Sequence, residues 1–332
     1  LHKAIRRQRQ MCIRDRVKMT DKKLYLTRAQ LISELGRCLG CKSKPCMNAC
    51  PVNCNPQEFI AKAKANDFAG AVETITRNNP MGQTCGLICP DKFCMQACTR
   101  AGIDFPINIP RVQATILEKY RTAESAAHPK LPANGKKVAV IGAGPAGIAA
   151  TAELSRLGYR ITLFESFEKI GGALNLIPDK RLPFEVIAKD WSFIDDPDMI
   201  ELRLNTPVNN PAALLEQDFD GVIVATGEPE GINLGIDGEE HAVSYLDYLR
   251  HPEHYAARGN IAVIGGGAVA TDCALTAVNN GAENVEMFVR RRVSDMRVTG
   301  EERKSLLDAG VDLTTMTKIK KIGADGDYLT LY

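Results

Sequence analysis

The chain has 332 residues, 45% of them hydrophobic and 25% charged, with a formal net charge of +2. That length accommodates two or three domains with proper cores. No apolar run approaches the roughly 18 residues that span a bilayer, so a cytoplasmic protein with no membrane segment is expected. The charge is uneven, because residues 1–18 carry Lys3, Arg6, Arg7, Arg9, Arg14, Arg16 and Lys18 against Asp15, leaving −4 on the rest.

A basic tail of this kind suggests nucleic acid or acidic lipid. It lacks the apolar stretch of a signal peptide and any amphipathic period, and an ordinary start exists at Met19, so neither partner is expected. Residues 1–23 read instead as a disordered or non-native tail.

Residues 24–125 read as helical, with cysteine loops between the helices. Pro56 to Ala65 and Asp67 to Arg77 place Phe59, Ile60, Ala63 and then Phe68, Ala71, Val72, Ile75 at helical spacing, the pattern of buried faces. Nine of the eleven cysteines lie here in two runs, Cys38, Cys41, Cys46, Cys50, Cys54 and then Cys85, Cys89, Cys94, Cys98. Such close thiols in a chain without an export signal point to metal rather than to disulfides. A single structural zinc takes four ligands and suits a Cys-x2-Cys pair such as Cys38 and Cys41. Two groups of at least four, with Pro51 and Pro90 directly after cysteines, favour iron–sulfur clusters. Cys46/Cys50 and Cys94/Cys98 are each four apart, which brings both thiols to one face if the segment is helical, without requiring that both serve one cluster. Cys12 and Cys273 stand apart and read as ordinary thiols.

Residues 126–136, with Pro129, Pro132 and Gly135, form a linker. Lys137 to Ile141 then reads as a strand entering Gly142-Ala-Gly144-Pro145-Ala146-Gly147, followed by a helix to about Leu157 and a second strand, Arg160 to Phe164, ending at Glu165. The first two glycines allow the tight turn and a close approach to pyrophosphate, the third allows helix and strand to pack, and Glu165 can accept a ribose hydroxyl. Strand, glycine loop, helix and an acid 23 residues beyond Gly142 together make a strong dinucleotide signature.

The unit recurs. Asn260 to Ile264 precedes Gly265-Gly266-Gly267-Ala-Val-Ala270, a helix runs to about Asn279, and the strand Asn284 to Val289 ends in Arg290-Arg291-Arg292. No acid stands where a ribose diol wants one, and guanidinium groups suit a 2′-phosphate, so NADPH is favoured, with NADH as the alternative. A solvated basic turn is the plainer explanation of the same arginines. Two such units, with Val222-Ile-Val-Ala-Thr226-Gly227 between them, suggest a flavoprotein with one nucleotide in each domain.

Arg37-Cys38-x2-Cys41-x4-Cys46-x3-Cys50-Pro51, Cys85-Gly-x2-Cys89-Pro90-x3-Cys94-x3-Cys98, Gly171-Gly172 with Pro178 and Arg181-Leu-Pro183, and the triple-glycine loop resemble the NADPH-oxidising small subunit of glutamate synthase and the N-terminal half of dihydropyrimidine dehydrogenase. The resemblance runs from about Arg28 to Ile322. It implies an α plus α/β protein: an all-helical domain with two 4Fe-4S clusters, then two Rossmann-like domains for FAD and NAD(P)H, the second inserted in the first. The expected division is 24–125 for the clusters, 137–257 for the first part of the FAD domain and 258–332 for the NAD(P)H domain.

The resemblance also implies ligands. Cys38, Cys41, Cys46 and Cys98 would hold one cluster; Cys50, Cys89, Cys94 and Gln113, from Pro106-Ile-Asn108-Ile109-x3-Gln113, would hold the other, leaving Cys54 and Cys85 as non-ligands. Glutamate replaces that glutamine in the glutamate synthase branch, so Gln113 leans toward the pyrimidine branch. Without that motif, Gln113 would read as a helix-surface amide. Departures are Ala268 for the family's Asp, Leu176 for its Gly, and an end at Tyr332 ahead of the Gly-Asp segment that closes the FAD site, which leads one to expect a fragment or an incomplete pocket.

Electron counting gives the expected activity. A nicotinamide donates two electrons as hydride, an iron–sulfur cluster accepts one, and a flavin between them does both. No catalytic acid or base is required for that transfer. Nothing resembles a substrate site for glutamate or a pyrimidine, so electrons are expected to pass to a larger catalytic subunit of the FMN-barrel or amidotransferase type. A nucleotide-binding scaffold or sensor with structural metal is the alternative. A disulfide reductase ranks last, because no Cys-x2-Cys adjoins either glycine loop.

Overall fold

The computed structural model describes residues 24–228, 230–231, 233–255, 259–326 and 328–332; the basic tail expected over 1–23 lies outside them. The chain divides into two compact units, Tyr25–Ile232 and a second containing Asn233–Tyr332.

The first unit opens with helices. α1 (Arg28–Arg37) begins at a reciprocal cap in which the Thr27 hydroxyl accepts from Gln30 N–H and the Gln30 amide oxygen accepts from Thr27 N–H. α2 (Pro45–Asn48) is one turn, and α3 (Pro56–Lys64) and α4 (Phe68–Thr76) start at the side-chain caps Asn55 and Asp67. α5 (Gly82–Ile88) and α6 (Ile109–Tyr120) follow, then the short α7 (Ala123–Ala126). Their apolar faces meet in one core in which Leu31, Phe59, Ile60, Ile75, Ile116 and Leu117 are all but inaccessible. Each such side chain contributes about 1.5–3 kcal/mol of burial.

α5 and α6 cross closely. A methyl group on Gly86 would lie 2.7 Å from both Ala114 N and Pro110 O, so only glycine permits this approach. The crossing sets Gly82, at the start of one helix, against Gln113 on the other, whose Nε2 donates to Gly82 O at 2.7 Å.

A parallel sheet completes the unit. β1 (Lys137–Ile141), α8 (Pro145–Arg156), β2 (Arg160–Phe164), α9 (Phe184–Ser192), β3 (Ile200–Arg203) and β4 (Gly221–Val224) give the strand order β3-β2-β1-β4. β1 is central, pairing Val138 with Ile161 on one side and with Gly221 on the other. Its continuous Val-Ala-Val-Ile run is buried, as a strand covered on both faces requires. Segment 127–136 is tied at several points: His128 to Thr76 in α4 at 2.9 Å, and Leu131 N–H to Arg156 O at 2.8 Å.

The second unit repeats the plan. α10 (Tyr245–Arg250) precedes β5 (Asn260–Ile264), α11 (Ala268–Asn279), β6 (Asn284–Val289), α12 (Gly300–Asp308) and β7 (Asp312–Thr315), and the three strands form a parallel sheet in the order β5-β6-β7. Val285, Met287 and Val289 alternate into a core with Ala274, Ala277 and Leu306. β8 (Ile322–Asp325) and β9 (Tyr328–Leu331) pair as an antiparallel hairpin. Among the described residues, no helix is long and apolar enough to cross a membrane.

The condition on which the four-residue cysteine pairs would share a face is not met. α2 ends at Asn48, before Cys50, and Cys94 to Cys98 form successive turns rather than a helix. The cysteines of each four-residue pair are therefore not held on a shared helical face.

Candidate redox site

The thiols are placed by helix ends. Cys38 follows α1, its N–H donating to Leu35 O; Cys46 lies in α2; Cys89 closes α5, its N–H donating to Cys85 O at 2.8 Å; and Cys98 precedes the 3-10 turn Thr99–Gly102. Cys38, Cys41, Cys46 and Cys98 line a single pocket with Ile60 and Ile109. At its rim the Cys41 thiol meets Thr99 Oγ1 at 3.4 Å. The ten described cysteines are all free thiols.

A second set surrounds Cys50. The electrostatic neighbours of Cys94 are Cys89, Cys50 and Cys46, and those of Cys54 are Cys50, Cys94 and Cys85. Burial raises these thiols, Cys85 and Cys94 to about 12, and Cys46, Cys54 and Cys89 in the same direction. A metal binding there as to a thiolate displaces those protons.

Gln113 is 7% exposed on α6, and its amide has a defined orientation. Nε2 donates to Gly82 O at 2.7 Å, so Oε1 faces Cys54, whose thiol lies 3.8 Å away. Soft thiolates in this number, with an acceptor oxygen turned toward them, suit iron–sulfur chemistry.

At the first glycine loop, Gly142 has φ +101° and its ideal Cβ would lie 2.5 Å from Ala225 O, beyond β4. Gly144 precedes α8 with no side-chain cap, and Pro145 and Ala146 are exposed, so the first-turn N–H groups are available to an anion. Gly171 and Gly172 fold onto the loop: Gly171 N–H donates to Ala143 O at 2.8 Å, and a methyl on Gly172 would stand 2.9 Å from Gly144 Cα. Arg181 lies in the following turn, its N–H on Pro178 O. Thr226 and Gly227 are exposed after β4.

Glu165, at the end of β2, is 5% exposed. Its carboxylate accepts from Ala143 N–H at 2.8 Å, from Phe167 N–H at 3.0 Å and from the Ser166 hydroxyl at 3.1 Å. It thus braces the glycine loop itself, a role that the spacing did not suggest.

In the second unit Gly265, Gly266 and Gly267 lead into α11, which also lacks a side-chain cap, and Ala270 packs against Gly265. Arg290 and Arg292 are exposed and Arg291 partly so, and among the described residues none of the three forms an ion pair.

One buried feature escaped sequence reasoning. Asp190 of α9 is fully buried, accepts from Thr84 N–H at 2.8 Å and Gln83 N–H at 3.4 Å at the start of α5, and pairs with Arg121, 2% exposed. Burial pushes its carboxyl up, opposed by the Arg121 charge. It joins the helical part to the first sheet. The available signal was an acid in the apolar stripe Val186, Ile187, Asp190, Trp191.

Comparison with known proteins agrees. Residues 15–125 match the family described as dihydropyrimidine dehydrogenase domain II, 4Fe-4S cluster; residues 140–191 match an NAD(P)-binding Rossmann-like domain; residues 196–331 match pyridine nucleotide-disulphide oxidoreductases. The chain is 34% identical over 293 residues to the NAD-dependent dihydropyrimidine dehydrogenase subunit PreT of Escherichia coli K12, covering 85% of this chain and 70% of the relative. It is 35% identical to the PreT homolog of Salmonella typhi at the same coverage. A solved 2-naphthoyl-CoA reductase, 21% identical, shares the fold with a TM-score of 0.52 over 72% of this chain and 36% of that one. The chain therefore belongs to the family of the PreT-type dihydropyrimidine dehydrogenase subunits, NAD(P)H-dependent oxidoreductases that use FAD and 4Fe-4S centres.

Proposed function

We propose that this chain is the NADPH-oxidising subunit of a dihydropyrimidine dehydrogenase-like system, delivering electrons through FAD and two 4Fe-4S clusters to a separate catalytic subunit. The observation that carries the reading is the pocket lined by Cys38, Cys41, Cys46 and Cys98, thiols up to sixty positions apart, in the same unit as the first glycine loop.

In this reading those four thiols hold one cluster, and Cys50, Cys89, Cys94 and Gln113 hold the second. Cys54 and Cys85 remain outside the coordination sets. The uncapped start of α8, with Gly142, Gly144 and Gly147, receives the FAD pyrophosphate, and Gly171, Gly172, Arg181, Thr226 and Gly227 border it. The start of α11 receives NADPH, with Arg290 and Arg291 on its 2′-phosphate; the PreT relatives are named as NAD-dependent. When bound, FAD supplies the conversion between two-electron and one-electron transfer. The domains are read as 24–125 for the clusters, 137–257 for FAD and 258–332 for NADPH, the last inserted in the FAD domain. The PreT relatives are named as dihydropyrimidine dehydrogenase subunits, which favours a pyrimidine-reducing partner over an amidotransferase; the partner in this reading is of the FMN-barrel type.

The test is anaerobic purification of the full chain, with iron, acid-labile sulfide and flavin quantified and NADPH-driven dye reduction measured. Roughly eight irons per chain are expected, with Cys46→Ser and Cys94→Ser each removing about half. Stoichiometric zinc, or loss of a cluster in Cys85→Ser but not in Gln113→Ala, would overturn the assignment.

A further inference from the structure

Gln113 is held at both ends of its amide. The Gly82 carbonyl can only accept, so it fixes Nε2 at 2.7 Å and turns Oε1 toward the Cys54 thiol at 3.8 Å. Cys54 is 2% exposed, so water does not compete for this weak sulfur contact. Cys54, the thiol that the amide oxygen faces, has Cys50, Cys94 and Cys85 as its own neighbours.

We propose that Cys54 is a positioning residue for the second cluster: its S–H donates to Gln113 Oε1, holds that oxygen toward iron and raises the reduction potential of the cluster. The proposal rests on the reading of Gln113 as a ligand. An amide oxygen has two lone pairs, one for iron and one for the thiol hydrogen. A neutral amide is a weaker donor than thiolate, so a hydrogen bond that draws density from it changes the electron richness of the iron it binds. Less density favours the reduced state. Packing alone would give Cys54 no such effect, because Ala fills most of the same space.

The experiment uses the full chain, reconstituted with iron and sulfide without oxygen, as parent, Cys54→Ala, Cys54→Ser and Gln113→Ala. Iron content is measured, and the cluster potentials are read by EPR-monitored redox titration. Cys54→Ala should keep the parental iron and shift one cluster to a lower potential. Cys54→Ser, which restores an O–H donor, should recover most of the shift. Unchanged potentials in Cys54→Ala would reduce Cys54 to a packing residue, and loss of half the iron would make it a ligand; either result overturns the proposal. Full iron in Gln113→Ala would instead remove the ligand assignment beneath it, so the two failures are distinguishable.

Discussion

At the first glycine loop a methyl group on Gly147 would stand 1.8 Å from the Gly142 carbonyl oxygen, whereas at the second a methyl on Gly267 would meet nothing within 4 Å. The third glycine position of the second loop already carries a side chain, Ala270. The Gly147 contact lies within the loop itself, and the sheet adds a second one at Gly142. β1 is flanked by β2 and β4, which bring Ala225 O against Gly142, while β5 pairs only with β6 among the described residues. Glu165 also braces the first loop through Ala143 N–H, and Arg290 stands free of ion pairs among the described residues after the second. Latitude differs position by position: in the first loop Gly144 would meet only Gly172 Cα at 3.9 Å, and in the second a methyl on Gly266 would stand 2.4 Å from Val289 Cγ1.

The first unit is additionally fastened by Asp190, and removing it is the strongest way to break the contrast. Asp190→Ala leaves Arg121, 2% exposed, without its partner and should cost about 3–5 kcal/mol in denaturant unfolding. A loss under 1 kcal/mol would mean that the Asp190–Arg121 pair adds little to the other contacts joining the two parts, such as Lys189 to Glu118 at 2.8 Å.

The comparison itself is tested by paired substitutions. Gly147→Ala should cost about 3 kcal/mol and release flavin, because a backbone oxygen cannot yield as a flexible side chain can. Gly267→Ala should change stability by less than about 1 kcal/mol. Equal effects would show that the crowding around the first loop relaxes without consequence.

A smaller effect belongs to the arginines that follow the second unit's β6. Replacing Arg290 and Arg291 with Gln should weaken NADPH binding by about 2 kcal/mol, roughly 30-fold, and leave NADH binding unchanged. Equal losses for both nucleotides, measured by titration, would assign the arginines to the shared part of the cofactor.

The smallest effect is a pH dependence in the helical part. Hydrogen bonds from Arg77, at 2.7 and 2.9 Å, hold the Glu73 carboxyl below its ordinary value, with burial opposing. Its folded value is thus lower than its unfolded one, so the pair stabilises above the unfolded value and fades as pH falls through the folded value. Glu73→Gln should cost about 0.3–0.5 kcal/mol at pH 7 and nothing once the carboxyl is protonated. A constant difference from pH 7 to pH 3 would contradict this.

Strands and helices around both glycine loops were legible in the chain because local apolar runs and glycine positions are themselves local constraints. Lys137–Ile141, Asn260–Ile264 and Asn284–Val289 are strands at those bounds. Four-residue cysteine spacing was less informative, since α2 stops before Cys50 and a turn segment carries Cys94 and Cys98. Pro51 disfavours the helical conformation at Cys50, so α2 stops short of it.

By itself the sequence determined the chemical class: closely spaced thiols in two runs, and two strand–glycine–helix units with different residues at the following strand end. Those are properties of neighbours along the chain. The family resemblance implied the grouping of Cys98 with Cys38, and one pocket holds both; only the tertiary structure decided that Cys54 meets Gln113 and that Asp190 meets Arg121 and the start of α5. Such pairings depend on how helices cross and on how closely backbones approach at glycine, and neither is set by the spacing of residues along the chain.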